Sequence, residues 1–120
     1  MKEKILLIDD DLDIGQIIKT ILKSRDVCLY HVFNGQEGIE MAGELQPNLI
    51  LLDVMLPGMD GLEVCRRLRE FSNIPILMIS ANHHATDVEK GFTAGANNYV
   101  KKPFSNHDLL ARIDSLLEPI

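Results

Sequence analysis

The sequence predicts an α/β fold in which helices cover both faces of a parallel five-stranded sheet. Short apolar runs alternate along the chain with segments of helical periodicity. Several of these runs lack the polar–apolar alternation of half-exposed strands, as expected for strands buried on both faces. A length of 120 residues suits one core of this kind but leaves little room for a second. We therefore expect a single domain over residues 1–120, with its core from about 4 to 117.

Five apolar runs are the strand candidates, and the last of them is the weakest. They are Ile5–Ile8, Val27–Val32, Leu49–Leu52, Ile74–Ile79 and Tyr99–Val100. Alternation of such strands with helices favours parallel pairing and right-handed crossovers. The carboxyl ends of the strands then meet at one edge of the sheet, where ligands bind in folds of this architecture.

The segments between the strands carry helix signals. Apolar stripes that are expected to pack on the sheet mark a first and a last helix, at positions 14, 17, 18, 21 and 22 and at 109, 110, 113, 116 and 117. Three further helix starts pair a capping side chain with an acid three residues later: Asn34 with Glu37, Asp60 with Glu63, and Ser105 with Asp108.

The fourth helix is expected within ATDVEKGFTAGANN and should be easily displaced. Its glycines and threonines are poor helix formers, each less favourable than alanine by up to ~1 kcal/mol. Only Val88 and Phe92 provide an apolar pair one turn apart.

The composition restricts the classes of partner. With 12 basic and 18 acidic residues the net charge is −6, which disfavours direct binding to nucleic acid or to an anionic membrane. The two cysteines are far apart, and the sequence shows no pattern of a signal peptide. No apolar run approaches the ~20 residues that cross a bilayer. We expect a cytoplasmic protein with reduced thiols.

Charged and polar residues follow several of the predicted strands, at the edge of the sheet where the carboxyl ends of the strands should meet. Asp9, Asp10 and Asp11 follow the first strand, and Asp53 the third. Two carboxylates about 4 Å apart repel by roughly 4 kcal/mol at an effective dielectric near 20, so the cluster needs a compensating cation or must stay partly protonated. The later strands supply a hydroxyl and an ammonium group, from Ser80 and from Lys101 or Lys102. Together these groups are the ones that phosphoryl transfer uses.

Four motifs in this order resemble the receiver domain of two-component response regulators. They are the acids in KILLIDDDLDIG, the DVMLPGMDG after the third strand, the Ser-Ala after the fourth, and the Lys-Pro-Phe after the fifth. The resemblance extends from about Lys4 to Leu117. It implies a flavodoxin-like (βα)5 sandwich with strand order 2-1-3-4-5.

The resemblance also implies roles for individual residues. Asp53 corresponds to the phosphoacceptor, which receives a phosphoryl group from the phosphohistidine of a sensor histidine kinase or a phosphotransfer protein. Asp9 and Asp10 correspond to the acid pair that binds Mg²⁺ together with Asp53 and the backbone carbonyl of Met55. Lys102 corresponds to the lysine that contacts the phosphoryl group.

A second set of residues corresponds to the switch of such domains. Ser80 is the hydroxyl that moves towards the phosphoryl group, and Tyr99 is the aromatic side chain whose rotamer follows the active state. The peptide bond before Pro103 is expected to be cis. Phosphorylation is then expected to change the surface of the fourth helix, fifth strand and fifth helix, and so to control a partner or an output domain, for example one that binds DNA.

The chain departs from the family pattern beside this surface. Asn97 and Asn98 stand where many receivers have two acids that feed an ionic dimer interface, which weakens the expectation of a phosphorylation-dependent homodimer. His83 and His84 replace other polar residues beside the fourth strand. Read as a receiver, the chain is a phosphoacceptor that assists its own phosphorylation and dephosphorylation, not an enzyme. Its cognate kinase, output domain and phosphoryl lifetime stay open.

Two other classes of protein would use the same acidic residues differently. A phosphatase of the haloacid dehalogenase type would use Asp9 as nucleophile and Asp11 as acid, but position 13 is Asp where that family has Thr. A flavin binder would need a phosphate-binding loop where the three acids lie.

Several other residues that could carry chemistry are expected to have only a structural or surface role. The arginines at 66, 67 and 69 are expected on a solvated face, His83 and His84 in a polar loop and not at a metal, and Cys28 and Cys65 as small buried side chains.

Overall fold

The computed structural model describes residues 2–82 and 84–117 of the chain. Its strands are β1 (Glu3–Ile8), β2 (Val27–Val32), β3 (Leu49–Asp53), β4 (Ile76–Ser80) and β5 (Asn98–Lys101). The α-helices are α1 (Leu12–Ile21), α2 (Gly35–Leu45), α3 (Gly61–Arg69), α4 (Ala85–Ala94) and α5 (Asn106–Leu117), and a short 3-10 turn spans Leu22–Ser24. No helix in this described part is both long and apolar enough to pass through a bilayer.

The sheet confirms the predicted topology. All pairs are parallel, and the strand order is β2-β1-β3-β4-β5. The register aligns Ile8 with Leu52, Leu52 with Met78, and Ser80 with Lys101. Residues that follow these positions therefore emerge at the same edge of the sheet.

Two apolar layers flank the sheet. Leu6, Ile8 and Leu52 point to the layer that α2, α3 and α4 complete, and Leu7 and Leu51 point to the layer of α1 and α5. Every residue of β3 and of β4 is buried. Burial on both faces explains why these strands show no polar alternation in the sequence.

The predicted helix starts are confirmed by their capping bonds. The side-chain oxygens of Asn34, Asp60 and Ser105 accept from the backbone N–H three residues ahead, at 2.9, 3.0 and 3.0 Å. The α1 helix begins in the same way, because Asp11 Oδ1 accepts from Asp13 N–H at 2.9 Å. The α4 helix ends at Gly95, whose φ of 118° a residue with a side chain rarely adopts.

The bounds of β4 and β5 differ from the predicted ones. The β4 strand begins at Ile76 and not at Ile74, because Ile74 N–H donates to the Ser72 hydroxyl at 3.0 Å instead of to a neighbouring strand. The β5 strand is longer than Tyr99–Val100 by one residue at each end.

Not every predicted apolar position reaches the sheet. Ile17 keeps 44% of its surface exposed, although the stripe that contains it was expected to pack on the sheet. Phe92, one of the apolar pair in α4, is 47% exposed. In α1, Ile18 faces the core, and the adjacent position is turned away from it by the helical repeat. Cys28 is half-buried because β2 is an edge strand, whereas Cys65 is buried as predicted.

Arg69 corrects the prediction of a solvated arginine face on α3. Arg66 and Arg67 are exposed and pair with Glu63, as expected. The half-buried Arg69 guanidinium instead donates to four oxygens: the carbonyls of Gly95, Ser72 and Ile74, and the side chain of Asn97. It therefore joins the end of α3 to the turn before β5.

Replacing Arg69 should destabilise the fold much more than replacing its exposed neighbour. Arg69→Ala leaves several carbonyl oxygens without their charged donor, and we expect a loss of about 2 kcal/mol in the free energy of unfolding. Arg66→Ala on the same helix should cost below about 1 kcal/mol. Denaturant unfolding of both variants measures the difference, and equal losses would contradict the assigned role.

Candidate functional site

The carboxylates of Asp9, Asp10 and Asp53 converge at the carboxyl ends of β1 and β3. One oxygen from each lies within 4.8 Å of the others. Asp9 is fully buried and Asp53 is 5% exposed, whereas Asp10 is exposed. Carboxylate oxygens in such a group are ligands for a hard divalent cation, and Mg²⁺ needs only one or two of them besides water.

Asp9 is held by bonds to three parts of the chain. Its N–H donates to the carbonyl of Val32 at 3.1 Å, which continues the pairing of β1 with β2. Its Oδ1 accepts from Asp11 N–H at 2.9 Å, and its Oδ2 accepts from Lys102 Nζ at 3.1 Å. Since Asp9 is buried, these partners replace the water that its carboxylate loses on folding.

Asp53 shares the same ammonium group. Its Oδ2 accepts from Lys102 Nζ at 3.4 Å, and its Oδ1 accepts from Met55 N–H at 3.0 Å. Burial raises the pKa of Asp53 and the charge of Asp9 adds to this, against the opposing effects of Met55 N–H and Lys102. Burial alone would lower the pKa of Lys102, but the charges of Asp53 and Asp9 outweigh it and raise that pKa.

The loop after β3 folds back tightly on Asp53. Gly61 N–H donates to the carbonyl of Val54 at 2.8 Å and closes the loop. A Cβ atom at Gly61 would lie 2.4 Å from the backbone oxygen of Asp53. Gly58, with a φ of 79°, provides the turn within it. The glycines of PGMDG therefore set the position of Asp53 relative to α3.

Ser80 and Tyr99 meet through Asn82. The Ser80 hydroxyl is buried and accepts from Asn82 N–H at 3.0 Å, while the Tyr99 hydroxyl donates to the carbonyl of Asn82. Burial raises the pKa of the Tyr99 phenol, and a hydrogen bond with Ser80 opposes that shift. The two predicted switch residues are thus joined in one small network beside Asp53.

Tyr99 occupies an inward position under α4. It is 8% exposed, and a Cβ atom at Gly91 of α4 would lie 3.0 Å from its ring. The glycine therefore lets the helix approach the aromatic ring closely. Gly91 was seen in the sequence only as a poor helix former.

The remaining predicted residues lie at the rim. Lys101 is exposed and Lys102 is the lysine that bonds the acids, and the Lys102–Pro103 peptide bond is cis. Met55 is 54% exposed and lines a cleft together with Asp10 and Asn82. His83 lies outside the described residues, and His84 precedes the first residue of α4. Within residues 2–82 and 84–117, the group of side chains able to hold a metal is the aspartate cluster, without a histidine.

Two residues near the site gave no recognisable signal in the sequence. Asn82 connects Ser80 to Tyr99, and His31 Nε2 bonds the backbone oxygen of Asp9 at 2.8 Å. Asn82 links residues of two different strands, and His31 bonds a residue that follows the neighbouring strand, so neither contact leaves a local pattern in the sequence. A polar residue two positions after a site serine was the only available hint for Asn82.

A model of the response regulator receiver domain matches residues 5–114. The chain belongs to the response regulator receiver domain family. Relatives of this receiver domain include the DNA-binding response regulators MtrA of Mycolicibacterium paratuberculosis and of Mycobacterium leprae, each 38% identical over 117 residues. These alignments cover 98% of the chain and 52% of either relative, so the chain spans about half the length of the curated relatives it matches.

Solved structures agree with this membership. The BeF3-activated receiver domain of Klebsiella pneumoniae RstA matches with a TM-score of 0.92 at 31% identity, covering 98% of this chain and 100% of that one. The receiver domain of a Francisella response regulator matches with a TM-score of 0.90 at 30% identity, covering 97% of both chains. The haloacid dehalogenase alternative is not favoured by these comparisons.

Removing the charge of Asp53 should stabilise this receiver domain when no divalent cation is present. The folded-state pKa of Asp53 lies above the ordinary value of 3.8, so folding favours the protonated carboxyl over the carboxylate. The stability that this preference contributes is fully present below 3.8 and is lost as the pH rises through the folded-state pKa. Asp53→Asn should therefore raise the unfolding midpoint at about pH 7, and the gain should shrink towards about pH 3.

Thermal unfolding in a chelator measures this gain, with Asp26→Asn on the exposed surface as the matched control. A variant less stable than the wild type at neutral pH would contradict the repulsion inferred between the acids.

Proposed function

We propose that Asp53 is the phosphoacceptor of this receiver domain and that the donor is a phosphohistidine. One carboxylate oxygen of Asp53 attacks phosphorus, the P–N bond to the donor histidine breaks, and the imidazole leaves with a proton. The observation that supports this role is the bridge of Lys102 between Asp53 and Asp9, at 3.4 and 3.1 Å. It places an ammonium group next to the carboxylate that would receive the phosphoryl group, whose oxygens carry negative charge.

We also propose that Mg²⁺ binds to Asp9, Asp10 and Asp53, with the backbone carbonyl of Met55 as a fourth ligand. The buried acids and the exposed Asp10 fit this cation because they offer hard oxygen atoms at one edge. When bound, Mg²⁺ supplies positive charge to the phosphoryl oxygens. The protein itself orients Asp53 through Met55 N–H and holds Lys102 ready for the new charge.

The same groups suit a domain that assists its own phosphorylation by a donor and its own dephosphorylation by water. An aspartyl phosphate carries added negative charge and new acceptor oxygens, which the cation, Lys102 and Ser80 can offset. If the Ser80 hydroxyl turns towards those oxygens, it leaves the N–H of Asn82, the residue whose carbonyl accepts from Tyr99. The position of Tyr99 and of α4, which lies directly against its ring at Gly91, then changes with phosphorylation.

The donor protein is proposed to be a sensor histidine kinase or phosphotransfer protein that docks beside Lys102. A cleft of about 420 Å³ opens there between α1 and the start of α5, lined by the apolar side chains of Ile14, Ile17, Pro103 and Phe104. Leu12 at the start of α1 is 58% exposed. An apolar surface next to the reactive carboxylate can position a partner's phosphohistidine over Asp53.

Other partners follow from the relatives. The MtrA proteins are DNA-binding response regulators, and we propose that this domain likewise controls a DNA-binding output domain, while its own acidic surface does not bind nucleic acid.

The free thiols of Cys28 and Cys65 fit a cytoplasmic setting. A homodimer would have to use contacts other than Arg112, which bonds Asp108, Asn98 and the carbonyl of Tyr99 within the chain.

Phosphorylation should label Asp53 and should require Mg²⁺. The domain is incubated with acetyl phosphate or phosphoramidate, and borohydride trapping followed by mass spectrometry locates the labile phosphate. We expect the label on Asp53, its loss in Asp53→Ala, and its retention in Asp26→Asn. Label on Asp9, or turnover of many phosphate esters, would instead support the phosphatase alternative.

Beryllofluoride with Mg²⁺ should change the amide signals of Ala85–Ala94 and Asn98–Lys101 most strongly outside the site loops. The reason is the path from Ser80 through Asn82 and Tyr99 to α4. Two-dimensional NMR of the labelled domain measures the shifts, and Ser80→Ala should reduce them in α4 while beryllofluoride still binds. Unchanged signals in α4 and β5 of the wild type would refute the switch.

Ile17→Ser should slow transfer from a phosphohistidine donor without slowing phosphorylation by acetyl phosphate. The substitution removes apolar surface from the docking cleft and leaves the acids and Lys102 untouched. Phe71→Ser is the matched control, since Phe71 is 51% exposed and follows α3, beyond the opposite ends of the strands. Equal effects on both donors would contradict the proposed docking surface.

A further inference from the structure

Asp9 has one polar contact that the phosphoacceptor chemistry does not explain. The imidazole of His31 on β2 places Nε2 at 2.8 Å from the backbone oxygen of Asp9. A carbonyl oxygen only accepts hydrogen bonds, so Nε2 must carry a proton and donate it. With this bond, the N–H, the C=O and both carboxylate oxygens of Asp9 each have a partner in the chain.

The imidazole fits only because α1 has a glycine above it. A Cβ atom at Gly15 would lie 2.3 Å from Nδ1 and 2.6 Å from Cε1 of His31. The ring also stacks on Phe33, with centroids 4.1 Å apart and an angle of 25° between the planes. The ring is therefore held between α1 and Phe33 with Nε2 directed at the end of β1.

We infer that His31 is a positioning residue for Asp9, which acts through the Asp9 backbone and depends on the absence of a side chain at Gly15. The bond fixes the first backbone carbonyl after β1, where the acidic loop begins that leads into α1. Since Asp9 is buried, a shifted backbone there would move its carboxylate relative to Asp10 and Asp53. This inference rests on the proposed function, because it assumes that the three acids bind Mg²⁺.

The chain offers variants that separate the N–H donor from the ring. His31→Phe keeps an aromatic ring next to Phe33 but removes the donor. His31→Gln keeps an N–H donor at a similar distance from the backbone. Gly15→Ala leaves His31 in place but forces its ring to move. Gly43→Ala in α2 is the control for adding a methyl group to a helix, because nothing lies within 4 Å of a Cβ there.

The measurement is a titration of each variant with Mg²⁺ alone, followed by two-dimensional NMR. We expect His31→Phe and Gly15→Ala to weaken Mg²⁺ binding by about 10-fold, the lower end of what loss of an outer partner of a metal ligand costs. His31→Gln should restore most of the affinity, and Gly43→Ala should leave it unchanged. Thermal unfolding without metal verifies that each variant is folded.

Several outcomes would overturn the inference. Mg²⁺ binding by His31→Phe as tight as that of the wild type would show that the donor is not needed. Binding by His31→Gln as weak as that of His31→Phe would assign the effect to ring packing. A ¹⁵N correlation spectrum of the wild-type histidines that shows Nε2 of His31 without a proton would also contradict it. A wild type that does not bind Mg²⁺ would refute the proposed function instead, which keeps the two failures distinct.

Discussion

The repulsion between buried carboxylates is the constraint on which the structure around the site depends. Asp9 and Asp53 lie almost without solvent at one edge of the sheet, and Lys102 is the ammonium group that bonds both. The lysine follows β5, so its side chain reaches the acids past the end of β4. The parallel topology makes this approach short, because all the strands end at one edge.

The three acids are not equivalent, although they are neighbours in space. Asp9 has partners on every polar atom, so it serves as a fixed point. Asp53 keeps weaker contacts, including a 3.4 Å bond with Lys102, and burial raises its pKa. Asp10 is exposed and can adjust to an incoming ion or donor. Rigidity and adaptability are thus assigned to different carboxylates of one cluster.

Much of the fold could be predicted because its signals are local. Apolar runs gave the strands, side-chain caps gave helix starts such as Asn34 and Asp60, and parallel pairing implied a shared edge for Asp9 and Asp53. Contacts across the fold left no such pattern. In the sequence, Arg69 is indistinguishable from the exposed charges of the same helix. Its role depends on the packing of α3 beside the turn before β5, where Asn97, 28 positions away, accepts from its guanidinium. His31 is likewise an ordinary residue of an edge strand until its ring meets Gly15.

The ion pair between Asp9 and Lys102 also has a consequence for folding during synthesis. These residues are 93 positions apart, so a ribosome must release nearly the whole domain before the ammonium group can reach the acids. An emerging chain that has only its first four strands has the carboxylates but lacks their counter-charge. The ion pairs that compensate the buried acids therefore form only when the domain is nearly complete.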